Sequence, residues 1–219
     1  AAIGDWLATT DAFPSGVDGV AGAIRDAGYD PGIWIAPFLA APDSEVARMH
    51  PEWLAQAPRS EQPAIGMANE VWGGLMWQLD TTHPAVREHL SGLARELVAA
   101  GYRYLKLDFT FSPALPARVH DPTTTPAERV RAGYDAIREG AGDDVFILGC
   151  GAPLGPLVGV VDGMRIGADV APWWDAPGDS PRLAGYEDAA PATHHAFTNT
   201  LSRAYQHRRL WLNDPDCLM

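Results

Sequence analysis

The stretch Tyr102-Arg-Tyr-Leu-Lys-Leu-Asp-Phe109 alternates polar and apolar residues from Tyr104 onward. Because successive side chains of a β-strand point to opposite faces, we predict a strand with Tyr104, Lys106 and Asp108 on one face. The leucines between them, together with Phe109, would pack on helices. The lysine and the aspartate then point into one small volume. This leaves two interpretations: an ordinary ion pair at a solvated edge, or a carboxylate that the lysine keeps ionised for chemistry.

Strands and helices are predicted to alternate on both sides of this stretch. Short apolar runs predict five more strands, at residues 32–38, 74–80, 144–150, 163–169 and 209–214. Apolar residues at helical spacing predict helices at residues 17–27, 45–57 with an interruption near Pro51, 82–100, 126 onward, and 192–207. Residues 58–72 are predicted to be irregular, and residues 111–125 to form a long loop.

This alternation favours an α/β fold with a parallel sheet covered by helices. An open doubly wound sheet would usually carry a glycine-rich nucleotide-binding loop after its first strand, and the sequence has none. A (β/α)8 TIM barrel fits better, with about six β/α units present and the first two strands missing. We therefore predict that residues 1–219 form a single domain, which is an incomplete barrel.

The composition argues against several classes of partner. The formal net charge of −12 predicts repulsion from nucleic acids and from anionic membranes. No run approaches the roughly 20 apolar residues of a membrane-spanning helix. The two cysteines give neither a disulfide framework nor a zinc-ligand spacing. The adjacent His194 and His195 point about 100° apart on a predicted helix, so they cannot chelate one ion together, and we interpret both as structural. No metal ion or organic cofactor is expected.

The ends of the chain give little information on location. The opening residues carry no signal-peptide pattern, and neither end resembles a natural terminus, so we expect both to be cut from a longer protein. We expect a cytoplasmic location. The sequence is compatible with an oligomer but does not indicate the number of subunits.

Carboxylates and cations fall at the ends of the predicted strands, where (β/α)8 barrels place their chemistry. We select Asp108 and Asp169 as a pair, because hydrolysis of a glycoside needs one ionised carboxylate and one protonated carboxyl. Lys106 would keep Asp108 ionised, and an apolar setting near the Trp173-Trp174 pair would favour the protonated form of Asp169. Arg165 has the strand parity of Asp169, so it either binds a sugar hydroxyl or favours the charged form of Asp169.

Other residues at the strand ends have two interpretations each. Trp34 either stacks on a sugar or packs in the core. Cys150, which precedes Gly151, either lies where the backbone approaches a ligand closely or is a small buried residue. Asp80 is expected to anchor a loop or to cap the helix that follows it. The segment Asn213-Asp-Pro-Asp216 is expected to form a turn with internal side-chain bonds.

Five segments resemble, in their order along the chain, the retaining α-galactosidases (melibiases) of glycoside hydrolase family 36. They are Gly32-Ile-Trp-Ile-Ala-Pro-Phe38, Tyr102-Arg-Tyr-Leu-Lys-Leu-Asp-Phe109, Ile147-Leu-Gly-Cys-Gly151, Asp162-Gly-Met-Arg-Ile-Gly-Ala-Asp169 and Trp211-Leu-Asn-Asp-Pro-Asp-Cys-Leu218. The resemblance implies a catalytic (β/α)8 barrel with Asp108 as nucleophile and Asp169 as acid/base. It also implies a sugar pocket, the −1 subsite, lined by Trp34, Lys106, Cys150, Gly151 and Arg165.

The implied reaction is hydrolysis of terminal α-linked galactosyl residues from small galactosides by double displacement, without a cofactor. The family also carries a paired-aspartate motif on an earlier strand, an N-terminal β-sandwich and a C-terminal β domain. None of these is in this chain, which is therefore expected to be an internal piece of the enzyme. Three alternatives stay open: a galactosyl transferase that uses the same aspartates, an inactive sugar-binding fragment, and a metal-dependent barrel hydrolase.

Overall fold

Eight short strands organise this computed structural model, which describes residues 2–11, 13–175 and 191–217. In chain order they are β1 Gly32–Ile35, β2 Leu39–Ala40, β3 Ile65–Asn69, β4 Gly74–Gln78, β5 Tyr104–Leu107, β6 Phe146–Gly149, β7 Gly163–Arg165 and β8 Leu212–Asp214. The helices are α1 Gly16–Asp26, α2 Glu45–Met49, α3 Pro84–Ala100, α4 Pro126–Ala141 and α5 Thr193–Ser202. Strands and helices alternate along most of the chain, as predicted.

Five of these strands form a parallel sheet in the order β1-β5-β6-β7-β8. Its register pairs Trp34 with Lys106, Lys106 with Leu148, Leu148 with Gly163, and Gly163 with Leu212. Because paired residues of neighbouring strands face the same way, these five positions share one side of the sheet, which we call the open face. The α/β fold with a parallel sheet is thus confirmed, and it is consistent with part of a TIM barrel.

The opposite face of the sheet is covered by helices. Leu105, Leu107 and Ile147 are fully buried there, in one core with the apolar stripes of α3 and α4. Tyr104, which has the other parity, is exposed on the open face and stacks on Phe146. The period-two pattern therefore predicted the two faces of β5 correctly.

The strand predicted at residues 74–80 is real, but it does not belong to the parallel sheet. β4 pairs antiparallel with β2 and with β3 in a separate three-stranded sheet. Gly73 and Gly74 both have positive φ and turn the chain back between β3 and β4. Residues 65–69, which were predicted to be irregular, supply the third strand. The parallel sheet accordingly holds five strands, not the six that were predicted.

Local signals set the helix boundaries. Thr125 and Glu128 form a capping box at the start of α4, and Gly101 ends α3 in the left-handed conformation. Ser44 caps α2, which ends at Met49 because Pro51 cannot continue it, and a 3-10 turn follows at Pro51–Trp53. The helix predicted at residues 192–207 is likewise shorter than expected. None of the helices that the structure describes has the length and apolar character needed to cross a membrane.

Candidate active site

Asp108 lies one residue beyond β5, and its backbone N–H continues the strand pairing with β1 by donating to the carbonyl of Ile35 at 2.9 Å. Two other N–H groups fix its carboxylate. The Trp34 indole Nε1 donates to Oδ2 at 2.9 Å, and the Phe109 backbone N–H donates to Oδ1 at 2.8 Å. Phe109 has φ +51° and turns the chain sharply after the aspartate. The carboxylate is therefore held in one orientation at the rim of the open face.

The ring of Trp34 is itself held by three aromatic neighbours. Trp6, Trp72 and Phe109 meet it edge-on, with ring centroids 5.9, 5.6 and 6.4 Å away. Phe109 was expected on the helix-covered face, but the turn at its positive φ brings its ring to Trp34 instead. The structure thus gives Trp34 a contact that neither sequence interpretation included, a hydrogen bond to the predicted nucleophile.

Lys106 lies on the open face beside Asp108, but the two side chains form no ion pair in the described part of the chain. The groups that hold Asp108 are the indole of Trp34 and a backbone N–H. The charge of Lys106 instead acts on the thiol of Cys150. The ion pair, one of the two interpretations of the sequence, is therefore absent among the described residues, and the role of Lys106 in keeping Asp108 ionised stays a prediction. The lysine shares the face, as strand parity requires, but it makes no direct contact with the carboxylate.

The end of β6 approaches Asp108 so closely that a side chain there would crowd the carboxylate. Gly151 has φ +51°, and a Cβ built on it would lie 3.1 Å from the Asp108 Oδ1. Cys150 is buried next to it, and burial, followed by the nearby Asp108 carboxylate, raises the pKa of the thiol to about 12. The thiol is therefore neutral at physiological pH.

Arg165 ends β7, and its buried guanidinium joins two carboxylates. Its Nη2 lies 2.7 Å from the Asp169 Oδ1 and 2.6 Å from the Asp216 Oδ2. Burial lowers the pKa of Arg165. The surrounding carboxylates, with Asp216 first, more than offset this effect, so the pKa lies above its ordinary value. Its Nε is buried without a hydrogen-bond partner among the described residues.

The surroundings of Asp169 differ from those expected. Its side chain is 76% exposed and paired with Arg165, so the apolar setting predicted from the sequence is absent among the described residues. Trp173 and Trp174 are also exposed. Trp173 donates to the carbonyl of Pro191, and Trp174 lies against the rings of His194 and Phe197 on α5. Arg165 therefore contacts Asp169 directly, and both roles left open for Arg165 stay predictions.

Cys150 lies between the two carboxylate clusters. Its thiol is affected by Asp108 and Lys106 on one side and by Arg165 on the other. The structure thus gathers the sequence-predicted residues at the carboxyl ends of β1, β5, β6 and β7, along one rim of the open face. A cavity of about 1110 Å³ borders β1 and is lined in part by Trp34, but neither Asp108 nor Asp169 lines it.

Asp80 was a rim candidate, but it lies outside the parallel sheet. Its Oδ1 accepts hydrogen bonds from the backbone N–H and the hydroxyl of Thr82, and its Oδ2 accepts one from the backbone N–H of His120. Asp80 thus anchors the loop that follows β5, as one sequence interpretation proposed. No group of three metal-binding side chains occurs within residues 2–11, 13–175 and 191–217.

Two residues that contact the candidate site were not predicted from the sequence. Trp72 lies in a segment that was predicted to be irregular, and it packs against both Trp34 and Phe109. Asp216 was interpreted only as part of a turn. That turn exists, since the Asp216 N–H donates to the Asp214 Oδ1 at 2.9 Å, but the side chain of Asp216 also reaches Arg165. The position of Asp216 just after β8 could have indicated this contact, because Asp214, the last residue of β8, pairs with Arg165 in the register.

Comparison with known proteins places this geometry in a family context. The Melibiase family model matches residues 1–115. The chain is 36% identical over 63 residues to an alpha-galactosidase of Escherichia coli, a match that covers 29% of this chain and 9% of that protein. It is 37% identical over 62 residues to the alpha-galactosidase AgaA of Geobacillus stearothermophilus, covering 27% of this chain and 8% of that protein.

A solved structure is similar over the whole chain. TtGalA, an alpha-galactosidase from Thermus thermophilus in complex with p-nitrophenyl alpha-D-galactopyranoside, superposes with a TM-score of 0.83 at 35% identity. The match covers 100% of this chain and 43% of that one. The match therefore spans less than half the length of this relative, and the matches to the two curated relatives span about a tenth of their length.

Proposed function

Because this chain belongs to the melibiase family, we propose that it carries the catalytic centre of a retaining α-galactosidase. The substrate is a terminal, non-reducing α-D-galactosyl residue of a small galacto-oligosaccharide. The observation that carries the proposal is the oriented carboxylate of Asp108 at the rim of the parallel sheet. It is supported by Arg165 and Asp169 at the same rim, and by the galactoside bound to the similar Thermus enzyme.

In this proposal the two aspartates divide the chemistry. Asp108 attacks the anomeric carbon while Asp169 gives its proton to the leaving oxygen, so the glycosidic bond breaks as a galactosyl-ester bond forms. Asp169, now ionised, takes a proton from water, and the resulting hydroxide displaces Asp108 and restores the original anomeric configuration. The reaction needs no cofactor. The sugar pocket is lined by Trp34, Lys106, Cys150, Gly151 and Arg165.

The parallel sheet supports the architecture that we propose for the enzyme. The five parallel strands are part of a (β/α)8 barrel, and the open face is the inner wall of that barrel. Enzymes with this fold place their active sites at the carboxyl ends of the strands, where Asp108, Cys150 and Arg165 lie. Residues 1–219 belong to the catalytic domain.

The test is the variant Asp108→Gly in the full-length protein. Loss of the nucleophile should reduce hydrolysis of an aryl α-galactoside by roughly 10⁴-fold. Azide, which is small enough to enter the space left by the carboxylate, should restore turnover and yield β-galactosyl azide. Asp43→Gly, at an exposed turn, is the matched control and should keep full activity. Unchanged hydrolysis by the Asp108 variant would show that another residue is the nucleophile.

A further inference from the structure

Arg165 is shared unequally between its two carboxylates. Both Asp169 and Asp216 contact the same nitrogen, Nη2, at nearly equal distances. The side chain of Asp169 is 76% exposed, whereas that of Asp216 is only 23% exposed. Since water screens an exposed pair more than a buried one, Asp216 has the stronger interaction with the guanidinium.

Asp216 is also fixed in place by contacts of its own. Its Oδ2 accepts the backbone N–H of Val170 at 2.9 Å, directly after Asp169 in the chain. Its backbone has φ +76° and donates to the side chain of Asp214. The carbonyl of Asp214 in turn accepts the N–H of Ile166 at 2.9 Å. Asp216 thus connects the end of β8 to the loop that carries Asp169.

We propose that Asp216 is a positioning residue that engages the charge of Arg165 and so leaves Asp169 able to hold the proton that it donates to the leaving group. This inference rests on the proposed function above. Without Asp216, the full charge of the guanidinium would act on Asp169, and the repulsion between the two carboxylates would be lost. Both changes favour the ionised form of Asp169, which cannot act as an acid.

Other charged and titratable groups surround this cluster, but the proposed change leaves them unaltered. Asp214 at the end of β8 acts in the same direction as Asp216. Two cations also lie nearby: Lys106 on β5 acts on the thiol of Cys150, and Arg203 after α5 donates to the carbonyl of Ile166. Cys150 at the end of β6 is a neutral thiol at physiological pH. A change in pH dependence after removal of the Asp216 charge can therefore be assigned to Asp216.

The test is the pH profile of kcat/KM for Asp216→Asn in the full-length protein, with an aryl α-galactoside as substrate. Asparagine tolerates positive φ and can still accept the Val170 N–H, so the loop is retained while the charge is lost. The basic limb, where the catalytic acid loses its proton, should move to lower pH by about one unit. An unchanged limb, or a shift to higher pH, would overturn the proposal.

The matched control is Asp162→Asn. Asp162 is also a carboxylate paired with an arginine, Arg138, but it precedes β7 at the opposite end of the sheet. Its variant should lose stability and keep the pH profile of the wild type. An equal shift in the Asp162 and Asp216 variants would mean that general destabilisation, not the local charge, moves the profile, and the proposal would be wrong.

A second substrate separates this inference from the proposed function. Fluoride leaves with little protonic assistance, so α-galactosyl fluoride should be hydrolysed by Asp216→Asn almost as well as by the wild type above neutral pH. An equal loss on both substrates would overturn the positioning role. Asp169→Ala should lose far more activity on an aryl galactoside with a poor leaving group than on the fluoride. If it loses activity equally on both, the proposed acid/base assignment itself fails.

Folding is checked by circular dichroism and thermal unfolding. Asp216→Gly also removes the charge and tolerates positive φ, and it should show the same shift of the basic limb. If neither variant accumulates as a folded protein, Asp216 serves the fold and not the proton of Asp169, and the proposal is overturned.

Discussion

Trp34→Phe removes a single hydrogen bond to the proposed nucleophile and keeps most of the aromatic ring. The indole Nε1 donates to the Asp108 Oδ2 at 2.9 Å, while Trp6, Trp72 and Phe109 hold the ring by edge-on contacts that phenylalanine can also make. A hydrogen bond to a charged group contributes about 1.5–3 kcal/mol. Because Trp34 is only half-buried, the lower value applies. About 1.5 kcal/mol corresponds to roughly a tenfold lower rate.

The assay is steady-state hydrolysis of an aryl α-galactoside, with kcat and KM determined separately. If Trp34 orients the carboxylate for attack, the variant should lose roughly tenfold in kcat with little change in KM, because the lost interaction matters most in the transition state. If Trp34 is instead mainly a platform for the sugar, KM should rise and kcat should stay near the wild-type value.

The matched control is Trp53→Phe. Trp53 is also half-buried and also packs against an aromatic ring, that of His50, but it lies in the 3-10 turn after α2 and touches no residue of the proposed site. Its variant should keep both kinetic constants. A full kcat in Trp34→Phe, in a protein that unfolds at the wild-type temperature, would refute the positioning of Asp108 by the indole.

Two further outcomes are expected. Asp80→Ala removes the acceptor of the backbone N–H of His120 and of the hydroxyl and backbone N–H of Thr82, so the free energy of unfolding in urea should fall by about 2–4 kcal/mol, whereas Asp43→Ala should change it little. Because the pKa of Cys150 is raised to about 12, iodoacetamide at pH 7.5 should alkylate the exposed Cys217 and spare Cys150 in the native protein, as peptide mass mapping would show; rapid labelling of Cys150 would contradict its burial.

The sequence contained enough information for the sheet faces and the main helices. Alternation in β5 assigned Leu105 and Leu107 to the helix side, and the Thr125–Glu128 capping pattern marked the start of α4. Such signals are local, so neighbouring residues suffice to predict them. The assignment of β4 to the parallel sheet was wrong, because it depends on strands that are not neighbours in sequence. A short apolar strand has the same pattern in a parallel and in an antiparallel sheet, and only its partners distinguish the two.

The candidate site shows the same division between local and long-range information. From strand ends and side-chain parity, Asp108, Cys150 and Arg165 were correctly predicted to lie at one rim of the sheet. Parity could not tell which donor reaches a carboxylate. An ion pair between Lys106 and Asp108 was one interpretation, but the side-chain donor that reaches the carboxylate is the indole of Trp34 on the adjacent strand. Such contacts depend on which strands are neighbours, and local sequence patterns do not show strand order.

The spacing of the strands connects the observed sheet to the proposed mechanism. Asp108 follows β5 and Asp169 follows β7, with β6 between them. Strands that are second neighbours in a sheet lie about 10 Å apart. The proposed mechanism requires the carboxyl groups of Asp108 and of Asp169, on the loop after β7, to come within the roughly 5–5.5 Å typical of retaining enzymes.

The end of the intervening strand determines whether that gap stays open. β6 is followed by Cys150 and Gly151, and even a methyl group at Gly151 would come within 3.1 Å of the Asp108 carboxylate. A larger residue would also be strained by the positive φ of this position. The small residues after β6 therefore avoid a clash with the oriented carboxylate of Asp108, and our proposal needs this side free for a sugar between Asp108 and Asp169, the acid whose proton Asp216 protects.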